Sequence, residues 1–340
     1  MRDALAPLPD AAPTAGRAGS ADTMTEPLHV LILAGGLSHE RDVSIRSGRR
    51  VAEALRSHGV SVEVRDVDAG LLSYLTSARP DVVWPLLHGS TGEDGSIRDL
   101  LELVGLPYVG TDSAGSRIAW SKPVAKTLLA RAGACTPAFA TLPQSLFREV
   151  GARAVLDMVL ERLPLPLVVK PAHGGSALGV TFVTQAQQLP QAMVSCFSYG
   201  EIALIERAVT GTEVAVSVVD LGDGPVALPA VEIVTDGPYD YDARYNPGRT
   251  EYFVPGRLTA EQRLAADELA VLAHRTLGLS HLSRTDMIID ADGVAWFLEV
   301  NVAPGMTETS LFPQAAQAWN RPVEELYRDI VSQGLVASRD

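Results

Sequence analysis

Residues 284–301, RTDMIIDADGVAWFLEVN, read as two runs of alternating side chains around Asp292-Gly293, a dipeptide suited to a two-residue β-hairpin turn. If these two residues form the loop, Ala291 faces Val294, and counting outward sets Asp286 opposite Glu299 and Arg284 opposite Asn301. On that register Met287, Ile289, Val294, Trp296, Leu298 and Val300 share one apolar face, while Arg284, Asp286, Glu299 and Asn301 share the other. Two carboxylates on one rung repel, which costs stability unless a cation lies between them. Hard oxygen ligands without Cys or His favour Mg²⁺ or Mn²⁺, and magnesium completes its shell with water and substrate phosphates. This face therefore predicts a metal site that expects a nucleotide. The alternative is a solvated polar face with an Arg284 ion pair. Three acceptors and an arginine beside the Pro304-Gly305 break favour the metal.

A chain of 340 residues predicts two or three domains with a sizeable core. Its 46% hydrophobic and 20% charged residues fit an ordinary soluble globular protein. The net charge of -13 argues against tracking the phosphates of a nucleic acid, while leaving room for a nucleotide in a local basic pocket. No apolar stretch is long enough to span a membrane. Cys135 and Cys196 have neither metal-ligand spacing nor the makings of a disulfide framework, which fits a reducing cytoplasm. The opening MRDALAPLPDAAPTAGRAGSADTMTEP lacks the apolar centre of a signal peptide and reads as a disordered tail over 1–26, with Met24 a second candidate start.

From Leu28 to about Thr111, the apolar runs LHVLILAGG, SVEVRDVD and DVVWPLLHG alternate with the helical patterns DVSIRSGRRVAEALRSHG and GSIRDLLELVG. That alternation predicts an open parallel sheet under helices, with ligands at the carboxyl ends of its strands. It selects the loop carrying Glu40 after the first strand, and HGSTGEDG, with His88 and Glu93, after DVVWPLL. Glu93 serves equally well as an acid at a helix N-terminus. GxGxxG is absent, which disfavours a dinucleotide site. A helix carrying SKPVAKTLLARAG follows.

In LPLVVKPAHGGSALGVTFV, Lys170 ends a strand and the chain re-enters one at Val180. Backbone N–H groups of Gly174, Gly175 and Ser176 can approach phosphate oxygens, with Lys170 as a point charge, although such glycine loops also occur without a ligand. EIALIERAVTGTEVAVSVVD supplies two strands joined through Thr210-Gly211. The one ending at Glu206 can present backbone groups to an adenine edge, and Glu213 can accept from ribose hydroxyls; either is otherwise a surface glutamate. DGPYDYDARYNPGRTEYFVPG is long and aperiodic, the mark of a lid or binding loop. Thr259 and Gln262 have the spacing of a capping box that opens a helix to about Leu277.

With these pieces in place, the chain resembles the D-alanine–D-alanine ligases of the ATP-grasp superfamily, collinearly from about Leu28 to about Leu335. HERDVSIRSG, LHGSTGEDG, VVKPAHGGSALGV, YDYDARY and LEVNVAPGMTETSL carry the resemblance, in the family order. It implies an α/β and α+β architecture: an open parallel-sheet, Rossmann-like N-terminal domain over 27–121, a central ATP-grasp subdomain over 122–210, and a C-terminal one over 211–336 with the metal and substrate site. It also implies a cytoplasmic homodimeric ligase that joins two D-alanines through an acyl phosphate for peptidoglycan precursors. Such an enzyme uses ATP and two Mg²⁺ or Mn²⁺ ions per site, with no nucleic-acid or membrane partner.

Carried over by position, Glu40, His88 and Ser176 look like residues that hold the first D-alanine or orient the tyrosine loop. Lys122 and Lys170 resemble phosphate-binding lysines, joined at the nucleotide by Gly175 and Arg244, with Glu206 at the adenine hinge and Glu213 at the ribose. Arg284 resembles the arginine that steadies the reacting carboxyl group, and Asp286, Glu299 and Asn301 match metal ligands. Gly305, Ser310 and Leu311 match the second D-alanine site, over which Tyr245 closes by linking to Glu40 and Ser176. The chain departs from the family at Arg98-Asp99, where glutamine-glycine is common, at Ala177 (serine), Arg244 (lysine), Thr285 (an aliphatic) and Val302 (threonine). No metal ligand or phosphate lysine is lost, so ATP chemistry is expected, while the substrate pair is less fixed. The alternatives are a related ATP-grasp ligase joining other amino acids and a nucleotide-binding regulator without turnover.

Overall fold

The computed structural model describes residues 28–235 and 248–336. Its first sheet is parallel, with β1 (His29–Leu33), β2 (Ser61–Arg65) and β3 (Val82–Pro85) in the order β2-β1-β3. Helices α1 (Arg41–Arg56), α2 (Leu71–Ala78), the single turn α3 (Ser90–Glu93) and α4 (Ser96–Val104) intervene or follow. The alternation expected from the sequence is realised, and the period of two along β1 explains the layering. Leu31 and Leu33 pack with Leu75 of α2 and Leu101 of α4, while Val30 and Ile32 pack with Val51 and Leu55 of α1.

Helices α5 (Ser113–Trp120) and α6 (Lys122–Arg131) lead into a second sheet. Asp112 caps α5 by accepting from the Gly115 N–H at 2.7 Å, and Pro123 opens α6 where a missing N–H costs nothing. The second sheet is antiparallel: β4 (Phe139–Pro143), β5 (Leu167–Pro171), β6 (Thr181–Val183) and β7 (Ile202–Arg207), in the order β4-β7-β5-β6, with α7 (Ala152–Arg162) and α8 (Leu189–Phe197) over it. A third sheet holds β8 (Thr212–Asp220), β9 (Pro225–Ala227), β10 (Val231–Thr235), β11 (Thr250–Phe253), β12 (Leu282–Ile289) and β13 (Ala295–Asn301). Its order is β11-β10-β8-β12-β13, with β9 on β8. The expected capping box opens α9 (Ala260–Thr276), Gln262 N–H donating to Thr259 at 3.2 Å and Thr259 N–H to Gln262 at 3.0 Å. Finally α10 (Leu311–Ala318) and α11 (Val323–Val336) return to the first sheet, where Tyr327 meets Trp84 edge-on at 5.6 Å.

The β12–β13 hairpin keeps the expected rungs at its open end and departs from them at its turn. Arg284 pairs with Asn301 and Asp286 with Glu299. The loop, however, has three residues, Ala291–Gly293, because the Asp290 and Val294 backbones close it and Gly293 takes a left-handed φ of 82°. The Asp290 carboxylate fixes this choice by accepting from the Asp292 and Val294 N–H groups and, at 2.7 Å, from the Trp296 indole. Pairing near the turn is then Ile289 with Ala295 and Met287 with Phe297, and a bulge at Asp286/Met287, opposite Leu298, restores the outer rungs. The apolar face is corrected accordingly: Ala295 and Phe297, rather than Val294, Trp296 and Leu298, are buried with Met287, Ile289 and Val300.

Two buried histidines flank β12, one tying the third sheet to the first region and the other tying it to α9. His281, at the head of β12, accepts the Gly110 N–H at Nδ1 (2.8 Å), and His274 of α9 bonds the Ser283 hydroxyl at 2.8 Å. Burial pushes both down to about 4, against a partial pull upward from Asp220. Both are neutral when folded but bind protons near pH 6.5 when unfolded, so the unfolded state takes up more protons between those values and stability falls as pH drops from about 6.5 to about 4. Urea titrations across that range should show a declining midpoint, and the decline should be shallower in His281→Asn; a flat wild-type profile contradicts the assignment.

Candidate functional site

Two cavities, of about 150 and 330 Å³, lie against opposite sides of one wall. Lys122 from the start of α6, Gly174 and Gly175 from the β5–β6 loop, and Glu299 from β13 line both. Every described candidate lines one cavity or the other. Glu40, His88, Ser176, Arg284, Asn301, Gly305, Ser310 and Leu311 face the first, and Lys170, Glu206, Glu213 and Asp286 the second. Arg244 and Tyr245 lie outside the described residues.

In the first cavity the Ser176 hydroxyl donates to Glu40, which joins the β5–β6 loop to the head of α1. Ser176 and Ala177 both hold left-handed φ angles, 52° and 55°, so the loop folds tightly there at a cost in backbone strain. His88, buried at the end of β3, donates from Nδ1 to the Ala303 carbonyl at 3.0 Å, and its Nε2 meets no partner among the described residues. Burial lowers its pKa, outweighing the Glu40 carboxylate and the Ala303 carbonyl. Glu93, which the sequence left open between a helix-end acid and a site residue, faces the same cavity and accepts from the Gly89 N–H at 2.8 Å. Burial, then the Glu40 charge, push it up to about 8. Across the cavity, the Ser310 hydroxyl accepts from the Thr307 N–H at 3.0 Å, and a Cβ on Gly305 would come 2.7 Å from the Ser310 oxygen. Only glycine fits there without displacing that hydroxyl.

The second cavity is the more apolar of the two and is built around a buried ionic cluster. Glu206 is nearly dry between two ammonium groups, Lys170 at 2.6 Å and Lys126 at 2.8 Å. Burial alone would raise its carboxyl, but Lys170 and Lys126 overcome this and hold it low. Burial likewise disfavours the charge on Lys170, yet Glu206 and Glu299 more than compensate and raise it. Lys170 faces the cavity from this cluster while Lys126 compensates Glu206 from behind, and Lys122 and Arg207 add positive charge to a lining that also carries Glu213, Asp286 and Glu299. Apolar side chains, including Val168, Phe182, Ile288 and Leu298, complete the lining, with Glu213 beside them. The bulge that moved Leu298 off the apolar face is thus what delivers it here.

At the wall, Arg284 forks onto Asp286 at 2.7 and 2.9 Å, Lys122 stands 3.3 Å from Glu299, and Asn301 Oδ1 accepts from the Ala303 N–H at 2.7 Å. The Arg284 ion pair foreseen as the alternative to a metal therefore exists. Among the described residues no group of three or more His, Cys, Asp or Glu is placed to hold a metal. Two carboxylates and one amide fit magnesium only when phosphate oxygens and water supply the remaining positions.

Lys126 is a further residue of the Glu206 cluster, not singled out from the sequence although its spacing of four from Lys122 places both on one face of α6. Arg98 stood out in the sequence only as a departure from the family. Arg98 is buried behind the first cavity, donates to the Gly92 carbonyl beneath Glu93, and has no carboxylate in an ion pair among the described residues. No feature of the local sequence announces such burial. Its neighbour Asp99 pairs with Arg117 and so links α4 to α5.

Residues 128–332 match the model for the D-ala D-ala ligase C-terminus, and residues 72–111 that for the D-ala D-ala ligase N-terminus. The chain belongs to the D-alanine–D-alanine ligase family. A D-alanine–D-alanine ligase of Gloeobacter violaceus is 39% identical over 310 residues, covering 91% of this chain and 100% of that protein. One from an Anaeromyxobacter species is 41% identical over 288 residues, covering 84% and 90%. Among solved structures, the Bacillus anthracis D-alanine–D-alanine ligase complexed with ATP has a TM-score of 0.78 at 27% identity, covering 93% of this chain and 99% of that one. The fold is thereby the ATP-grasp fold behind a parallel-sheet N-terminal region, as the resemblance implied. Of the departures from this ligase family, Ala177 lines the second cavity and Val302 the first, while Thr285 is buried with no hydrogen-bond partner for its hydroxyl among the described residues.

The His88 geometry is directly measurable. With a carbonyl facing Nδ1 and burial opposing charge, the ring should stay neutral and Nδ1-protonated at pH 6, where an exposed imidazole is largely charged. Nitrogen chemical shifts of the labelled ring report this, and an imidazolium pattern at pH 6 would contradict it.

Proposed function

We propose that this chain joins two D-alanines into D-alanyl-D-alanine at the expense of ATP, supplying a peptidoglycan precursor in the cytoplasm. The carrying observation is the shared wall: the larger cavity, with Lys170 among its apolar side chains, meets the smaller polar one at Lys122, Gly175 and Glu299. A nucleotide held in the larger cavity would present its terminal phosphate there to a carboxylate in the smaller. Family membership makes ATP the nucleotide and D-alanine the amino acid. We also take the three sheets as the cores of units over 27–121, 122–210 and 211–336, and the active form as a homodimer. No helix among the described residues is long and apolar enough to cross a membrane.

The site residues follow from this reading. Glu40 meets the ammonium of the first D-alanine, with His88, Ser176 and Tyr245 around it. Lys122 and Lys170 draw charge off the phosphates, aided by Gly175 and Arg244, while Glu206 and Glu213 flank adenine and ribose. A carboxylate is a poor electrophile; taking the γ-phosphoryl group of ATP turns it into an acyl phosphate and releases ADP. The amine of the second D-alanine then attacks the carbonyl carbon, and inorganic phosphate leaves. Arg284 stabilises the oxyanion formed on the way, by charge aimed where charge develops. Gly305, Ser310 and Leu311 hold the second D-alanine. Asp286, Glu299 and Asn301 would hold Mg²⁺ or Mn²⁺, two ions when fully loaded, which neutralise phosphate charge once bound.

Phosphate release should require D-alanine, ATP and Mg²⁺ or Mn²⁺ together, and comparable release with L-alanine, or none with any amino acid, would refute the assignment. Glu299→Gln should cut turnover by at least about a hundredfold, the scale of losing one preorganised charge, and unaltered turnover at saturating Mg²⁺ would leave the hairpin a structural feature.

Gly305→Ala should act on the acceptor side alone. Its Cβ would displace the Ser310 hydroxyl, so the KM for the second D-alanine should rise about tenfold with the KM for ATP little changed. Equal changes in both constants would place Gly305 outside the acceptor site.

A further inference from the structure

We infer that Lys126, which lines neither cavity, is a positioning residue for the nucleotide cleft: its ammonium pins the second sheet to the third at Glu206 and Phe297. This deepens the ATP reading above and rests on it. Lys126 projects from α6 and is fully buried. Its Nζ lies 2.8 Å from Glu206 Oε2 on β7, 3.1 Å from the Phe297 carbonyl on β13 and 2.9 Å from the Thr136 hydroxyl. The two sheets so joined are those that face each other across the larger cavity. Val168, Lys170, Phe182 and Glu206 come from one, and Glu213, Asp286, Ile288, Leu298 and Glu299 from the other.

The contact at Phe297 sets the nucleotide wall. Phe297 is followed by the bulge residue Leu298 and by Glu299, so whatever holds its carbonyl holds the point from which both are aimed into the cavity. Its N–H donates to the Cys135 carbonyl at 2.9 Å, and its carbonyl also takes the Thr136 hydroxyl at 3.0 Å. Lys126 therefore closes a patch in which the segment before β4 is stitched to the outer edge of β13. At its other end the ammonium balances Glu206 from the side opposite Lys170. Without it, Glu206 would draw on Lys170 alone, and Lys170 would be less free to meet a phosphate. Removing it should thus loosen both the spacing of the sheets and the hold on phosphate, while the amino-acid cavity, which shares only Glu299 with this patch, changes less.

The test compares wild type, Lys126→Met and Thr136→Val. Affinity for the non-hydrolysable analogue AMP-PNP is measured by calorimetry, and steady-state constants are measured well below each variant's melting temperature. Lys126→Met should bind the analogue about tenfold more weakly and raise the KM for ATP to match, with kcat and the KM for D-alanine within about threefold of wild type. Thr136→Val, nearly isosteric and not expected to unfold, should shift the same constants about two- to threefold. A folded Lys126→Met with a lowered melting temperature but wild-type nucleotide affinity would overturn the inference, leaving the lysine purely structural. Should Lys126→Met not fold, unchanged nucleotide affinity in Thr136→Val would overturn it equally. A wild-type chain that binds no AMP-PNP would overturn the ATP reading itself, which separates the two failures.

Discussion

Asp286 and Glu299 face each other across one rung of the β12–β13 hairpin, and positive charge has to be brought to that rung from outside it. At a separation of ~5 Å and an effective dielectric near 20, two like charges repel by about 3 kcal/mol, a large share of a domain's net stability. Arg284 answers from two residues along the same strand, on the same face, and Lys122 answers from the first turn of α6. The requirement for Lys122 fixes where α6 lies. Ala125 and Leu129, one and two turns further along it, are buried in the core of the third sheet. Charge compensation at the wall and apolar packing behind it therefore position the same helix, and Lys126 exploits the position to reach Glu206.

The second constraint is dryness. Glu206 and Lys126 are almost completely buried, and a lone charge there would be very costly. The two lysines and the carboxylate tolerate burial only as a set, so the set holds together elements from α6, β5 and β7 that share no continuous stretch of chain. Such polar clusters contribute little net stability compared with an apolar core of the same volume. What they contribute is definition of geometry, and here the geometry defined is the placing of Lys170 and Glu206 in the larger cavity.

Much of this was readable in the sequence, for identifiable reasons. The outer rungs of the hairpin followed from counting alone, and the parallel first sheet from alternating apolar runs and helical patterns. The turn did not follow, because a two-residue Asp-Gly loop and a three-residue one differ by local bonds, and the Asp290 carboxylate decides between them with a hydrogen bond from the indole of Trp296, six residues further along the chain. The bulge compensates for that error, which is why Arg284 and Asn301, and Asp286 and Glu299, pair as counted although the apolar face does not. Lys126 and Arg98 escaped because burial of a long charged side chain depends on partners 80 to 171 residues away in the first case and on a turn carbonyl in the second.

The two cavities differ in polarity, the larger being the more apolar, and under the proposed reading that difference sorts a nucleotide from an amino acid across a wall that both share. The larger holds Lys170 against Glu206 among apolar side chains. The smaller gathers Glu40, Glu93 and His88 with Arg284 in reach of them, which offers both signs of charge to a zwitterion. Burial adjusts the count among them: with Glu93 pushed up to about 8, it is largely protonated at neutral pH and Glu40 is left to face a single ammonium. A second full negative charge there would stay buried and uncompensated once the one ammonium of the first D-alanine, under the proposed reading, is in place. Raising one of two neighbouring carboxyl groups by burial thus matches the charge of that site to a single ammonium, while the amine that attacks belongs to the second D-alanine beside Gly305, Ser310 and Leu311.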